Sequence, residues 1–218
     1  MITLSEENYL KAILSISLNE DGKVSTNAIA NEIGTSAASV SDMLKKLHEK
    51  KLIKYEKYKG LNLSLLGREN AINILRKHRL WETFLVKKLE FNWGEVHNVA
   101  EQLEHVKSDE LINKLDAFLG FPKFDPHGEP IPTKDGKLPN INTIPLNELP
   151  EGCKGNVMGV TIDEKAFLDY LTKLNISIGS SIEILEKISF DKSISIKIES
   201  INQHISNDVA KHLLIKIK

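Results

Sequence analysis

All seven prolines of this 218-residue chain fall within one stretch, residues 122–150. Proline fixes φ near about −65° and has no backbone N–H to donate, so it disfavours the interior of a helix or a central strand. Before this stretch the apolar residues recur mainly at helical spacing, whereas β-branched residues dominate after it. The prolines therefore predict an extended linker between a mainly helical half and a β-rich half.

The first 66 residues have the pattern of a winged helix-turn-helix. A helix is expected to begin with a capping box at Ser5, and Ser25 precedes a second, short helix that stops before Gly34. After the glycine turn, Thr35 or Ser36 caps a third helix over 37–49, and segments 52–55 and 61–65 alternate as a hairpin does. Two short helices joined by a glycine turn form a helix-turn-helix, and the hairpin would be its wing.

Local charge favours DNA as the partner of this region. The whole chain carries a net charge of −1, but residues 43–60 hold seven lysines and two glutamates, a local charge of +5. Small residues over 36–39 would let the start of the third helix approach base edges and phosphates. A solvated lysine-rich face and a protein-interaction module are the alternatives.

Histidine and acidic residues recur on two further predicted helices, at roughly 67–90 and 94–119. His78 and Glu82 share a face at i,i+4, and a second stripe holds His97, Glu101, Glu104 and His105. Each piece alone could be a surface hydrogen bond or a solvated acidic face. Together these side chains would repel or stay unsatisfied without a cation, and such donors suit manganese, ferrous iron, zinc or nickel.

The residues after the linker predict a small β-barrel-like domain. Segments 157–162, 181–188, 193–201 and 212–217 have strand patterns, and 163–174 has the pattern of a helix. The single cysteine, Cys153, excludes an internal disulfide and is interpreted as structural. With no signal peptide and no apolar run of about 20 residues, a soluble, cytoplasmic protein that does not bind membranes is expected.

Several motifs together carry a family resemblance. They are EENYLKAI at 6–13, YEKYKGL at 55–61, RKHRLWE at 76–82, Glu101-x-x-Glu104-His105-x-x-Ser108-Asp109, LGFP at 119–122 and PHGEPIP at 126–132. The chain resembles the diphtheria-toxin-repressor/manganese-regulator (DtxR/MntR) family of metal-dependent transcriptional repressors along essentially its full length. The resemblance implies a mainly α fold with β. Its parts would be a winged helix-turn-helix domain at 1–66, a helical metal-binding and dimerisation domain at 67–121, the linker at 122–150, and a FeoA-like, SH3-like β-barrel at 151–218.

The resemblance also implies two metal sites in each subunit and a set of DNA contacts. The first site would use Asn8, Glu101, Glu104 and His105; the second would use His78, Glu82, His97 and His127, with Asp125 and Asp163. The DNA contacts would be Ser36, Ala37, Ala38, Ser39, Asp42, Lys45, Lys46, Lys57, Tyr58 and Lys59.

Four positions depart from the family pattern. Asn8 stands where the family has Asp or Met, Glu101 where the iron-sensing branch has Cys, and Asp125 where some manganese-sensing relatives have Cys. Oxygen in place of sulfur favours a hard ion, so Mn²⁺ is expected ahead of Fe²⁺, with Zn²⁺, Co²⁺, Ni²⁺ or Cd²⁺ as substitutes in vitro. Lys11 occupies a position that is acidic in the short manganese sensors, so their two-ion cluster is not expected.

The resulting hypothesis is a homodimeric repressor of metal-uptake genes that binds a palindromic operator, with the metal as corepressor. Without metal, the carboxylates of Glu101 and Glu104 are expected to repel each other and leave the first helix loosely held. The dimer contacts, or else plain core, would be Trp81, Phe84, Leu85, Leu89, Phe118 and Leu119. The alternatives are a metal-independent winged-helix regulator, a structural-metal interaction module, and a metallohydrolase. No catalytic residues are expected, since the chain has neither HExxH nor a nucleophile elbow.

Overall fold

A computed structural model describes residues 2–18, 24–56, 60–139 and 142–217. Backbone contacts divide the chain into two compact units. The first comprises Met1–His78, Gln102–Asn113 and Pro132–Lys137, and the second comprises Arg79–Glu101, Lys114–Ile131 and Leu138–Lys218. The domain boundaries expected from the sequence stay a prediction.

The first unit is built around a winged helix-turn-helix. Its elements are α1 (Leu4–Leu18), α2 (Thr26–Ile33), α3 (Ala37–Glu49), β1 (Ile53–Glu56), β2 (Gly60–Leu63) and the start of α4 (Leu65–Leu89). The two strands are antiparallel, with Ile53 opposite Leu63. Leu10, Ile13 and Leu14 of α1 share one buried apolar cluster with residues of α3, so α1 supports the second helix of the motif.

The cap of the first helix differs from the prediction. The Thr3 hydroxyl accepts the Glu6 N–H at 3.3 Å, and the Glu6 carboxylate accepts the Thr3 N–H at 2.8 Å. This reciprocal pair is a capping box that begins two residues before the one predicted at Ser5. The predicted box was wrong because it lacked the acid that Glu6 supplies.

The predicted caps of the helix-turn-helix are confirmed. The Ser25 hydroxyl accepts the Ala28 N–H at 3.1 Å, and Gly34 ends α2 with φ +70°. Of the two residues predicted to cap the next helix, Ser36 is the cap, since its hydroxyl accepts the Ser39 N–H at 3.1 Å.

The single helix predicted at 94–119 is wrong. The structure has α5 (His97–Leu103) and α6 (Asp109–Phe118), with a turn and an extended stretch between them. Ser108 starts α6, because its hydroxyl accepts the Leu111 N–H at 3.2 Å and its carbonyl accepts the Ile112 N–H. Glu104 and His105 therefore lie in the turn after α5, and the single helical stripe predicted for them does not exist.

The second unit contains a six-stranded antiparallel sheet in the order β3-β8-β4-β5-β6-β7. Its strands are β3 (Ile144–Pro145), β4 (Lys154–Val160), β5 (Ser181–Lys187), β6 (Ile194–Ile198), β7 (Ile201–Ile205) and β8 (Leu213–Ile217), accompanied by α7 (Lys165–Lys173) and α8 (Asn207–Ala210). The strand predicted at 193–201 ends at Ile198, because Glu199, with φ +54°, lies in the turn that leads into the antiparallel strand β7. Cys153 packs half-buried against the apolar core of this unit, as its structural interpretation expects.

None of the helices among the described residues combines the length and the apolar character needed to cross a membrane.

Candidate metal centres and DNA-contact surface

Glu104 is the centre of a buried polar cluster in the first unit. Its side chain is 0% exposed, Lys11 Nζ donates to its Oε2 at 2.8 Å, and His78 Nδ1 lies 2.6 Å from the same oxygen. Burial alone would raise the pKa of Glu104, but the His78 hydrogen bond and the charge of Lys11 outweigh it and lower the pKa. Glu104 is thus an ionised, paired carboxylate, and the predicted repulsion at this residue in the metal-free protein is offset by Lys11.

His105 lies beside Glu104 and is oriented by Glu7. Its Nδ1 is 2.7 Å from Glu7 Oε2, and its Nε2 is 3.8 Å from Glu104 Oε1. When Nδ1 donates to Glu7, the lone pair of Nε2 is available to a metal, as in carboxylate–histidine–metal arrangements. Glu7 lies within the 6–13 motif, but no sequence pattern connects it with His105, which is 98 positions away.

Two buried oxygen atoms complete this first centre. Asn8 Oδ1 and Glu104 Oε1 are both inaccessible to solvent, and among the described residues neither accepts a hydrogen bond. Buried oxygens of this kind are costly unless a partner satisfies them. Asn8 lies on α1 between Glu7, which contacts His105, and Lys11, which contacts Glu104. The chemistry of these two oxygens and of His105 Nε2 fits a divalent ion such as Mn²⁺.

The second unit holds a separate group of three buried ligand-type side chains. Glu82, Asp125 and His127 each present one donor atom, and these atoms lie within 4.8 Å of one another. His127 Nδ1 is 3.7 Å from Glu82 Oε2, and His97 Nδ1 is 3.4 Å from Glu82 Oε1. Glu101, predicted as a ligand of the first site, lies beside His97, since its Oε1 is 3.5 Å from His97 Nε2. Its role as a ligand stays a prediction.

His127 is held so that one nitrogen faces the cluster. Its Nε2 is 2.8 Å from the Trp93 carbonyl, and its ring stacks on the Trp93 indole with 6.1 Å between centroids. Burial lowers the pKa of His127, but the Glu82 carboxylate more than compensates and raises it to about 9. Nε2–H donation to the carbonyl directs Nδ1 towards Glu82, which is the orientation that a metal ligand needs.

Asp125 is the acid of this second centre whose negative charge is least compensated by its surroundings. Its Oδ1 accepts the backbone N–H groups of His127 and Glu129 at 2.8 and 2.9 Å, whereas Oδ2 accepts no hydrogen bond from any residue that the structure describes. Burial, with the negative charges of Glu82 and Glu129, raises the pKa of Asp125 to about 7. Arg79 Nε lies 3.6 Å from Oδ2 and offsets only part of this charge. The donor atoms fit a divalent ion here as well.

The remaining predicted ligands are placed differently. His78 contacts Glu104 in the first unit, and its role as a ligand of the second site stays a prediction. Asp163 is exposed after β4 and does not belong to the buried group of Glu82, Asp125 and His127.

The predicted DNA contacts lie on one exposed stretch of the helix-turn-helix where the structure describes them. The predicted contacts on α3 and at its cap are all exposed; they are Ser36, Ala37, Ala38, Ser39, Asp42, Lys45 and Lys46. Lys45 donates to Asp42 at 3.2 Å, in a pair that is more than 70% exposed. The wing-tip contacts Lys57, Tyr58 and Lys59 lie outside the described residues.

The predicted dimer residues divide between core and surface. Leu85 is buried, whereas Leu89 and Phe118 are exposed large apolar side chains of the second unit. Phe84 packs on Trp81 and on Phe118, with ring centroids 5.9 and 6.3 Å apart. Leu85 thus belongs to the core, and exposed apolar groups such as Phe118 are the ones suited to contact a second subunit.

Family profiles match almost the whole chain. The profile described as the N-terminal DNA binding domain of the iron dependent repressor matches residues 1–61, its metal binding and dimerisation domain matches 65–133, and the FeoA domain matches 144–217.

Relatives and solved structures agree with these profiles. The iron-dependent repressor IdeR of Mycobacterium leprae is 34% identical over 178 residues, 77% of this chain and 76% of the relative. The diphtheria toxin repressor of Corynebacterium jeikeium is 31% identical over 181 residues, 83% and 74% of the two chains. A manganese-dependent transcriptional repressor solved in complex with manganese is similar with a TM-score of 0.86 and 35% identity, covering 98% of this chain and 100% of that one. The manganese regulator SloR has a TM-score of 0.76 and 33% identity, with 98% of each chain covered. With these matches, the chain belongs to the iron-dependent (DtxR-type) repressor family.

Proposed function

We propose that this protein is a transcriptional repressor whose DNA binding is activated by a divalent metal, with Mn²⁺ as the physiological ion. The observation that carries the proposal is the first centre, where Asn8 Oδ1 on α1 and Glu104 Oε1 in the turn after α5 are both buried and accept no hydrogen bond from the residues that the structure describes. The relatives named above are transcriptional repressors, a class of regulator without enzymatic activity.

The residues of the first centre provide a physical route from metal to DNA. Asn8 lies on α1, and Glu104 and His105 lie in the turn after α5. A bound divalent cation would supply positive charge and coordination to Asn8 Oδ1, Glu104 Oε1 and His105 Nε2. Glu7 holds His105 in the tautomer that presents Nε2 to this centre, and Glu104 is held by Lys11 and His78.

Fixing α1 also fixes the helix proposed to read DNA. Leu10 and Ile13 of α1 pack in the same apolar cluster as Leu44 of α3, so restraint on α1 passes to α3 through direct packing. A coupling of this kind is typically about 1–3 kcal/mol, which corresponds to roughly 5–150-fold in operator affinity.

The donor chemistry supports Mn²⁺ over softer ions. Both centres offer carboxylate and imidazole groups, and the first adds the amide of Asn8. The one cysteine, Cys153, belongs to neither ligand group and packs against the apolar core of the second unit. Oxygen-rich donor sets suit hard ions such as Mn²⁺, although Fe²⁺ accepts the same ligands. The two solved structures reported above carry manganese in their names, whereas the Mycobacterium leprae relative is named for iron.

The DNA target is proposed to be a palindromic operator bound by a homodimer in the cytoplasm. The exposed Ser36–Ser39 stretch would enter the major groove, with Lys45 and Lys46 on phosphate. Exposed apolar side chains of the second unit, including Phe118 and Leu89, would contact the second subunit.

A gel shift on a palindromic promoter fragment from a metal-uptake gene tests the proposal. We expect a shift with Mn²⁺ that chelator abolishes, and a loss of the metal response in the double variant Glu104→Ala/His105→Ala. The matched control is Glu183→Ala/His204→Ala, which removes the same residue types from the sheet of the second unit. Equal shifts with metal and chelator would instead indicate a metal-independent winged-helix regulator, and metal binding without any shift would indicate a structural-metal interaction module.

A further inference from the structure

Glu104 already has a cation of the protein's own beside it. We propose that Lys11 is the built-in counter-ion of Glu104, that a divalent ion at the first centre binds against the charge of Lys11, and that Lys11 thereby sets the metal concentration at which this centre fills. The inference rests on the proposed function, and it concerns how the first centre is regulated.

The contact between Lys11 and Glu104 is unusually desolvated for a lysine. The Lys11 side chain is 12% exposed and its Nζ lies 2.8 Å from an oxygen of a carboxylate that is 0% exposed. In the pairs of Lys50 with Glu6 and of Lys154 with Glu183, the lysines are 42% and 61% exposed. Because solvent screens a buried pair far less than an exposed one, the charge of Lys11 acts strongly on Glu104.

The pair also joins the same two segments that the metal would join. Lys11 is one turn beyond Asn8 on α1, and Glu104 is in the turn after α5. Lys11 and His78 both contact Oε2, which leaves Oε1 facing His105. In the metal-free protein, then, α1 is partly restrained by Lys11, and the metal adds to a contact that already exists.

Two opposite effects follow from removing Lys11. The metal-free protein would be destabilised, because Glu104 would stay buried with His78 as its remaining cationic partner in this cluster. Metal binding would become tighter, because the cation would no longer approach a carboxylate that carries an ammonium 2.8 Å away. A residue that merely positioned Glu104 as a ligand would give the opposite change in affinity.

The test is calorimetric titration with Mn²⁺ together with thermal unfolding in chelator, on the full-length protein. The second centre is silenced by Asp125→Asn in every variant, so that the titration reports the first centre alone. We expect Lys11→Met to bind Mn²⁺ at least about tenfold more tightly and to unfold about 5 °C or more lower in chelator. Lys11→Arg, which keeps the charge, should stay near the parent in both measurements.

Lys107→Met is the matched control, since it removes an exposed lysine two residues from His105. It should change neither the affinity nor the melting temperature. If Lys11→Met folds too poorly to titrate, Lys11→Met/Glu104→Gln replaces both charges and should recover the unfolding temperature in chelator. Failure of that double variant to recover would overturn the proposal.

Unchanged or weaker Mn²⁺ binding by Lys11→Met would also overturn it. Failure of the proposed function would give a different result. In a parallel anisotropy measurement, the unaltered protein would then bind its operator equally well with and without chelator.

Discussion

The two candidate metal centres differ in how far the protein itself balances the negative charge of a buried carboxylate. In the first unit the buried Glu104 is paired with Lys11 at 2.8 Å, and its pKa is lowered. In the second unit Asp125 lies among Glu82 and Glu129, Arg79 Nε is 3.6 Å away, and the pKa of Asp125 is raised to about 7. One carboxylate is therefore stabilised by the protein itself, and the other is under-compensated until a cation arrives.

This difference indicates that the two centres have different roles in the response to metal. A site that is destabilised when empty gains the most from an ion, so the second centre should hold metal more tightly and fill first. The first centre competes with its own lysine, and its donor atoms connect α1 to the turn after α5. We infer that the second centre contributes affinity and that the first converts metal binding into a change around the DNA-binding helices.

The largest expected effect is on metal affinity at the second centre. Asp125→Asn keeps the oxygen that accepts the two backbone N–H groups but removes the charge, and we expect Mn²⁺ affinity to fall by about 100-fold or more. That exceeds the roughly 10–100-fold typical of losing an outer-shell partner. Asp163→Asn, an exposed residue that only the resemblance names as a ligand, should cause a much smaller loss in the same titration.

In chelator, the effect of Asp125→Asn on the melting temperature should depend on pH. An acid whose folded pKa is raised destabilises the protein increasingly as pH rises from its unfolded pKa of about 4 to its folded pKa, and the penalty is complete above that value. Asp125→Asn should therefore raise the melting temperature more at pH 8 than at pH 5.5. An equal gain in melting temperature at both pH values would show that the pKa of Asp125 is not raised in the metal-free protein.

A smaller effect is expected on metal-free stability at the first centre. Glu104→Gln leaves the ammonium of Lys11 without its buried carboxylate, and the free energy of unfolding in chelator should fall by about 3 kcal/mol. Denaturant unfolding measures this loss. Asp208→Asn removes the exposed partner of Lys211 and should leave the unfolding curve unchanged. If both variants behave alike, the claim that the first centre is internally neutralised is wrong.

The smallest effect concerns Glu6, whose side chain is buried but whose partner Lys50 is 42% exposed. Burial would raise the pKa of Glu6, but the hydrogen bond from Lys50 and those with Thr3 lower it. A lowered acid pKa stabilises the protein above the unfolded pKa, and this stability is lost as pH falls through the folded pKa. Lys50→Met should slightly lower the melting temperature at pH 7, and this effect should shrink as the pH falls below 4.5 through the folded pKa of Glu6, whereas Lys46→Met should be neutral throughout.

The sequence predicted the elements that follow from local chemistry. Ser25, Gly34 and Ser36 delimit the helix-turn-helix because a side-chain cap and a left-handed turn depend on neighbouring residues alone. The residue types of both metal clusters were likewise recognisable, since histidine and acids recur in the motifs.

What the sequence could not predict depends on contacts between distant segments. Helical spacing of Glu104 and His105 suggested one long helix, but Ser108 starts a new one and Glu104 turns inward. The pair of Lys11 with Glu104 spans 93 positions, and that of Glu7 with His105 spans 98. Periodicity carries no information on such pairings, so the counter-ion of Glu104 and the partner of His105 emerged only from the structure.

Hydrogen exchange of the α1 amides, with Mn²⁺ and with chelator, tests whether a metal at the first centre restrains α1. We expect slower exchange over residues 10–17 when Mn²⁺ is bound, and no such slowing in Glu104→Ala/His105→Ala. Identical exchange of these amides in the two conditions, in protein shown by calorimetry to have bound Mn²⁺, would contradict this expectation.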